Sequence, residues 1–188
     1  MKKANYIKLF LKDKMVAAVV PTSSFGVKKL CRAIDFKKDI VIVEYGPGSG
    51  VFTKYLLHNM NAESRIIAIE SNSNFVNILK EIKDSRLLVF NDKVQNLNEI
   101  LEKLDKPAID YIISGIPFSY IKEDLKMRII KNTYESLAKG GKFLVYQYSN
   151  HIKKYLSKYF QSINSTFEIL NIPTLFIFEA VKDPTLDK

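Results

Sequence analysis

Seven residues, Glu44-Tyr-Gly46-Pro47-Gly48-Ser49-Gly50, constrain this chain more than any other stretch. Glycines at alternate positions let a backbone turn tightly and bring its N–H groups against a ligand. Ahead of them runs Ile40-Val-Ile-Val-Glu44, apolar and β-branched without alternation. That pattern suits a strand buried on both faces of a parallel sheet. Behind them, residues 52–59 read as a helix. Strand, glycine turn and helix in this order open a doubly wound α/β sheet, with the ligand held where strand gives way to helix.

The pattern then repeats. Strands are expected over 65–70, 87–91, 109–114 and 142–148, and helices over 74–83, 97–104 and 121–137, the last stopped by Gly140-Gly141. Five β-α units end in a change of character: a helix over 151–159, then two strands, 166–170 and 175–181. The gap Asn171-Ile-Pro-Thr174 is too short for a crossover helix, so these two strands should pair antiparallel. The expected fold is a doubly wound, Rossmann-like α/β domain with a mostly parallel seven-stranded sheet and a C-terminal antiparallel hairpin. Residues 1–38 should form two helices ahead of the domain at 39–188. The first, over 4–20, places Ile7, Phe10, Leu11, Met15 and Ala18 on one face with lysines beside it; Pro21 stops it, and Thr22 or Ser23 caps the second.

Charge narrows the partners. The 188 residues carry a net charge of +9, which favours nucleic acid or an anionic membrane surface over acidic partners. A solvated basic surface with no partner gives the same balance. The single Cys31 and the isolated His58 and His151 make a disulfide framework or a metal site unexpected. No apolar run reaches the roughly 20 residues that span a bilayer. Lysines interrupt each early apolar stretch, so no signal peptide is read and the cytoplasm is the expected compartment.

Acidic residues close three successive strands: Glu44, Glu70 and Asp92. A carboxylate ending the second strand can accept both hydroxyls of a ribose. With the spacing G-x-G-x-G, this order resembles the class I S-adenosylmethionine-dependent methyltransferases. The resemblance implies S-adenosylmethionine as cofactor, with Glu44 toward its methionine end, Glu70 on the ribose and Asp92 at the adenine. Gly46, Pro47, Gly48, Ser49 and Gly50 would line it, with Ser71 and Ser114 alongside.

Ser114-Gly115-Ile116-Pro117-Phe118 follows the fourth strand, where that family receives the methyl-accepting atom. It resembles the N-[IL]-P-[FY] motif with which amino-directed methyltransferases such as the rRNA adenine dimethylases hold a planar amine. Gly115 replaces the Asn, removing its side-chain carbonyl. Phe118 would stack on a base or line an aliphatic pocket. Tyr120, Tyr148 and the backbone carbonyls around Gly115 and Ile116 are candidates for handling the amine and its proton. A second resemblance, over 10–181, is to the peripheral bacterial phospholipid N-methyltransferases, carried by Ala17–Ser24, Val43–Thr53, Ser114–Phe118, Tyr148-Ser149 and Asn171-Ile-Pro173. It implies a phosphatidylethanolamine-type lipid at the inner membrane face as substrate, with an RNA or another small-substrate acceptor as the alternative. The basic amphipathic first helix then serves as membrane contact, as a lid on the cofactor pocket, or as both.

Overall fold

A computed structural model of the chain describes residues 23–170 and 174–185. The helix expected over 4–20 and the segment Asn171–Pro173 lie outside the described residues. In chain order the elements are α1 (Ser24–Cys31), β1 (Val41–Tyr45), α2 (Val51–Asn59), β2 (Arg65–Glu70), α3 (Ser73–Lys80), β3 (Leu87–Asn91), α4 (Leu97–Glu102), β4 (Ile109–Ser114), α5 (Glu123–Ser136), β5 (Leu137–Gln147), α6 (Lys153–Leu156), β6 (Ser162–Glu168) and β7 (Leu175–Val181). Short 3-10 turns at Val94–Asn96 and Phe118–Tyr120 precede α4 and α5.

The strands form one seven-stranded sheet in the order β3-β2-β1-β4-β5-β7-β6. Pairs from β3 to β5 are parallel, and β7 is antiparallel to both β5 and β6. The strand order reverses between β1 and β4, which creates the crevice where such sheets bind ligands. Both faces of the sheet are covered. Ile42, Ile66, Ile113 and Leu144 pack with Val27 and Leu30 of α1 and Phe52 and Leu56 of α2. Val43, Ile67, Ile112, Phe143 and Val145 pack on the other side with α4, α5 and α6. Such two-sided burial is why the strand sequences are continuous apolar runs.

Helix α1 starts at Ser23, whose hydroxyl accepts the Gly26 N–H at 3.2 Å. At the far end of α2, Arg86 donates to the carbonyls of Leu57, Met60 and Asn61 at 2.7, 2.8 and 3.2 Å. It thereby satisfies acceptors that a helix C-terminus leaves open. The Cys31 thiol is buried and pushed up to about 12 by desolvation, then by the charge of Glu44, which leaves it unreactive.

Three expectations are corrected. The helix expected over 151–159 shrinks to Lys153–Leu156. Gly140-Gly141 lies within β5 instead of ending α5: Gly140, at φ +74°, donates to the Lys182 carbonyl, and Lys182 donates back to Gly141. The strand expected from 166 begins at Ser162 and ends at Glu168. It is an edge strand with mostly exposed side chains, so no apolar run announces it.

Candidate functional site

The loops after β1 and β4 meet across the point where strand order reverses. Gly46, Gly48 and Gly50 all adopt left-handed backbone, at φ +65°, +57° and +78°. The hydrogen bonds explain why. Gly46 donates to the Ile69 carbonyl at 2.9 Å, tying the loop to β2, and Gly50 donates to Pro47 at 3.0 Å, closing the turn that starts α2. A Cβ on Gly46 would lie 2.9 Å from Cγ2 of Ile116, so the acceptor-side loop presses directly on the glycine loop.

Glu70 fastens this arrangement. One carboxylate oxygen accepts the Gly48 N–H at 3.0 Å and the other the Asn72 N–H at 2.8 Å. Each oxygen keeps a further lone pair, which is what a ribose hydroxyl needs. Burial raises the Glu70 pKa, opposed by these backbone bonds. Asp92 follows β3, half-buried, and accepts from its neighbour Lys93 N–H at 2.7 Å and from the Asn96 side chain at 2.8 Å. Next to it, Asn91 donates to the Glu70 carbonyl and accepts from the Ser73 hydroxyl. Ser71 is exposed, Ser49 half-buried, and Pro47 buried.

Three buried side-chain atoms among the described residues have no hydrogen-bond partner: Glu44 Oε1, Ser114 Oγ and Gln147 Oε1. They stand at or next to the carboxyl ends of β1, β4 and β5, neighbours in the sheet. Unpaired buried polar atoms cost about 1–3 kcal/mol each, and their gathering at one edge marks a place built for a ligand. Glu44 suits a cationic ammonium: Oε2 accepts the Thr53 hydroxyl at 2.7 Å and Oε1 remains open. These residues fit the cofactor that the glycine pattern implies.

The Glu44 carboxyl is pushed up to about 7 by desolvation; the Thr53 hydrogen bond opposes this and the charge of Glu70 adds to it. An acid with a raised folded-state pKa favours folding below the ordinary carboxylate range and loses that contribution as pH rises through its folded value. The ligand-free protein should therefore lose stability between about pH 5 and pH 7.5 relative to Glu44→Gln. Denaturant melts of both proteins across that range test this, and parallel pH profiles would contradict it.

On the acceptor side, Ser114 is fully buried, while Gly115, Ile116 and Pro117 are half-buried. Phe118, 1% exposed, meets Phe143 edge-on and belongs to the core beneath the loop. Its ring is thus a floor and not a stacking surface for an acceptor. Tyr120 is 67% exposed at the end of its 3-10 turn. Tyr148 is half-buried against the α1/α2 side of the sheet. Sequence reasoning missed Tyr146, which shares that side with Tyr148 and stacks on Phe52 of α2 at 4.5 Å between centroids. A Cβ on Gly115 would overlap the Tyr146 hydroxyl and ring.

Among the described residues, no helix is long and apolar enough to cross a membrane, and no cluster of three His, Cys, Asp or Glu side chains could hold a metal.

A family model described as ribosomal RNA adenine dimethylase matches residues 2–170. The chain is 25% identical over 175 residues to the ornithine lipid N-methyltransferase of Singulisphaera acidiphila, a match spanning 88% of each. It is 34% identical over 91 residues to ribosomal RNA small subunit methyltransferase A of Mycoplasmopsis pulmonis, spanning 48% of this chain and 33% of that one. Among solved structures, the 1,6-didemethyltoxoflavin-N1-methyltransferase of Burkholderia thailandensis, determined with S-adenosylhomocysteine bound, shares the fold at a TM-score of 0.67 and 13% identity, over 96% of this chain and 86% of that one.

Proposed function

The chain belongs to the ribosomal RNA adenine dimethylase family and is an S-adenosylmethionine-dependent methyltransferase, and we propose that its acceptor is the amine of a lipid headgroup, of the phosphatidylethanolamine type, at an anionic membrane surface. The observation that carries this reading is an apolar rim beside the site. Strand β6 runs parallel to β5, so its last residues lie at the carboxyl edge of the sheet, the edge that holds the glycine loop. There Phe167, Ile169 and Leu170 are 59%, 67% and 61% exposed, and Phe25 at the start of α1 is 57% exposed. Lys29 of α1 donates to the Phe167 carbonyl at 2.6 Å and pairs with Glu168 at 3.5 Å, tying helix to hairpin. Lys28, exposed on α1, and Arg32, exposed just past its end, add positive charge suited to anionic headgroups. The ornithine lipid N-methyltransferase, matched over 88% of each chain, supports a lipid amine as acceptor.

Bound S-adenosylmethionine supplies an electrophilic methyl group on a sulfonium. The chain's own residues hold and align. Glu44 and the glycine loop fix the methionine end, Glu70 and Asp92 the nucleoside, and the loop from Ser114 to Phe118 brings the amine into line. The close approach of the two loops, Ile116 against Gly46, helps keep water from the reacting carbon.

The family's name and the +9 charge favour RNA as the second reading. Co-sedimentation with phosphatidylglycerol vesicles, against gel shift with structured RNA, separates the two. Wild-type protein should bind vesicles at low salt and leave them as salt rises. Ile169→Asp with Leu170→Asp should weaken vesicle binding at least tenfold, since each buried aliphatic side chain contributes about 1.5–3 kcal/mol. Protein that ignores vesicles and grips RNA would overturn the lipid reading. Ile7, Phe10, Leu11 and Met15, expected to contribute to membrane contact, lie outside the described residues.

A further inference from the structure

A glycine at position 115 poses a problem for an amine-directed site, because the loop after β4 then offers no side-chain acceptor at its first residue. The structure shows what fills the space. A Cβ built on Gly115 would overlap the Tyr146 hydroxyl oxygen and Cζ, and would lie 2.9 Å from Cε2. The phenol comes from the neighbouring strand. Val145 of β5 pairs with Ser114 of β4, so Tyr146 stands level with Gly115. The ring is held flat by Phe52, which stacks on it at 4.5 Å and 24°. Phe52 follows the glycine loop by two residues, so the hydroxyl is anchored between the cofactor side and the acceptor side.

We propose that the Tyr146 hydroxyl replaces the missing side chain at position 115 and accepts a hydrogen bond from the N–H of the acceptor amine. This rests on the reading of the site as an N-methyltransferase acting on a lipid amine. The amine enters neutral, its ammonium proton having gone to solvent. The Tyr146 oxygen then holds one N–H, which aims the nitrogen lone pair at the methyl carbon. The N–C bond forms as the C–S bond breaks, the electron pair stays on sulfur, and the product leaves as a methylated ammonium with its N–H protons retained. No proton moves to the protein in the methyl-transfer step. A tetrahedral amine approaches from any direction, so a rigid phenol on a strand can orient it without the planar amide geometry that a base demands.

Tyr146→Phe preserves the ring stack and removes only the oxygen. With vesicles carrying phosphatidylethanolamine, kcat should fall about 10- to 100-fold while S-adenosylhomocysteine affinity stays within error. Gly115→Asn alone should inactivate, because its side chain collides with the phenol. Gly115→Asn with Tyr146→Ala makes room and restores an oxygen acceptor, so it should exceed Tyr146→Ala alone at least tenfold in kcat. Wild-type kcat in Tyr146→Phe, or a double variant no better than Tyr146→Ala, would overturn the proposal. Failure of wild-type protein to methylate the lipid amine at all would instead overturn the lipid reading beneath it.

Discussion

Glu70→Ala is expected to weaken S-adenosylmethionine binding by roughly 1.5–3 kcal/mol, about 10- to 150-fold, and to lower the melting temperature as well. The two effects have separate causes. Loss of the ribose contact weakens the ligand. Loss of the acceptors for Gly48 and Asn72 leaves two backbone N–H groups of the site without partners, in a place where Glu70 itself is only 7% exposed. Each such donor costs about 1–3 kcal/mol, and for a domain of this size 1 kcal/mol lowers the melting temperature by about 2–4 °C. A fall of several degrees should therefore accompany the weaker binding. Calorimetric titration and a thermal melt read the two separately. Unchanged affinity would remove Glu70 from the ribose site, and an unchanged melt would show that it does not hold the loop.

Gly46→Ala should be nearly as damaging, by another route. At φ +65° an alanine carries strain of about 1–2 kcal/mol, and its Cβ would stand 2.9 Å from Ile116 Cγ2. The collision pushes the acceptor-side loop away from the cofactor-side loop, and misplacement by about 1 Å can cost about 100-fold in rate. Methyl transfer should fall at least that far. Gly140 supplies the control: its φ is +74°, yet nothing lies within 4 Å of a Cβ there. Gly140→Ala should cost similar stability and leave cofactor affinity alone. Pairing Gly46→Ala with Ile116→Ala removes the colliding methyl and should recover part of the lost rate. If Gly140→Ala disrupts cofactor binding as badly as Gly46→Ala, strain alone explains both and the loop contact does not matter.

The cofactor half of the site was legible in the sequence because its signals are local. Strands β2, β3 and β4 begin and end where expected, as continuous apolar runs broken by charge or glycine. The glycine turn announces its own backbone. The C-terminal third was less legible. Strand β6 is an exposed edge with no apolar face, and its partner β7 supplies the register that defines it. Gly140-Gly141 reads as a helix stop in sequence, but its pairing with Lys182 is visible only once β7 is in place.

The acceptor side turned on the facing of single residues. Phe118 points into the core, where the sequence suggested a surface stacking on a base or lining an aliphatic pocket. Tyr146 is the next-to-last residue of β5 and Tyr148 follows its end, and both pack on the α1/α2 side of the sheet. Nothing local distinguishes them. Only the register of β4 against β5 brings Tyr146, and not Tyr148, level with Gly115. The expected membrane helix over 4–20 lies outside the described residues, and the apolar rim at Phe25 and the β6–β7 hairpin was not anticipated.

The most direct test of the account is to incubate the protein with methyl-labelled S-adenosylmethionine and a mixture of phosphatidylethanolamine-containing anionic vesicles and ribosomal RNA, then resolve lipid and RNA by thin-layer analysis. The account predicts label in the lipid amine, with little in RNA, and loss of that label in Glu70→Ala. Label confined to RNA adenine would contradict it.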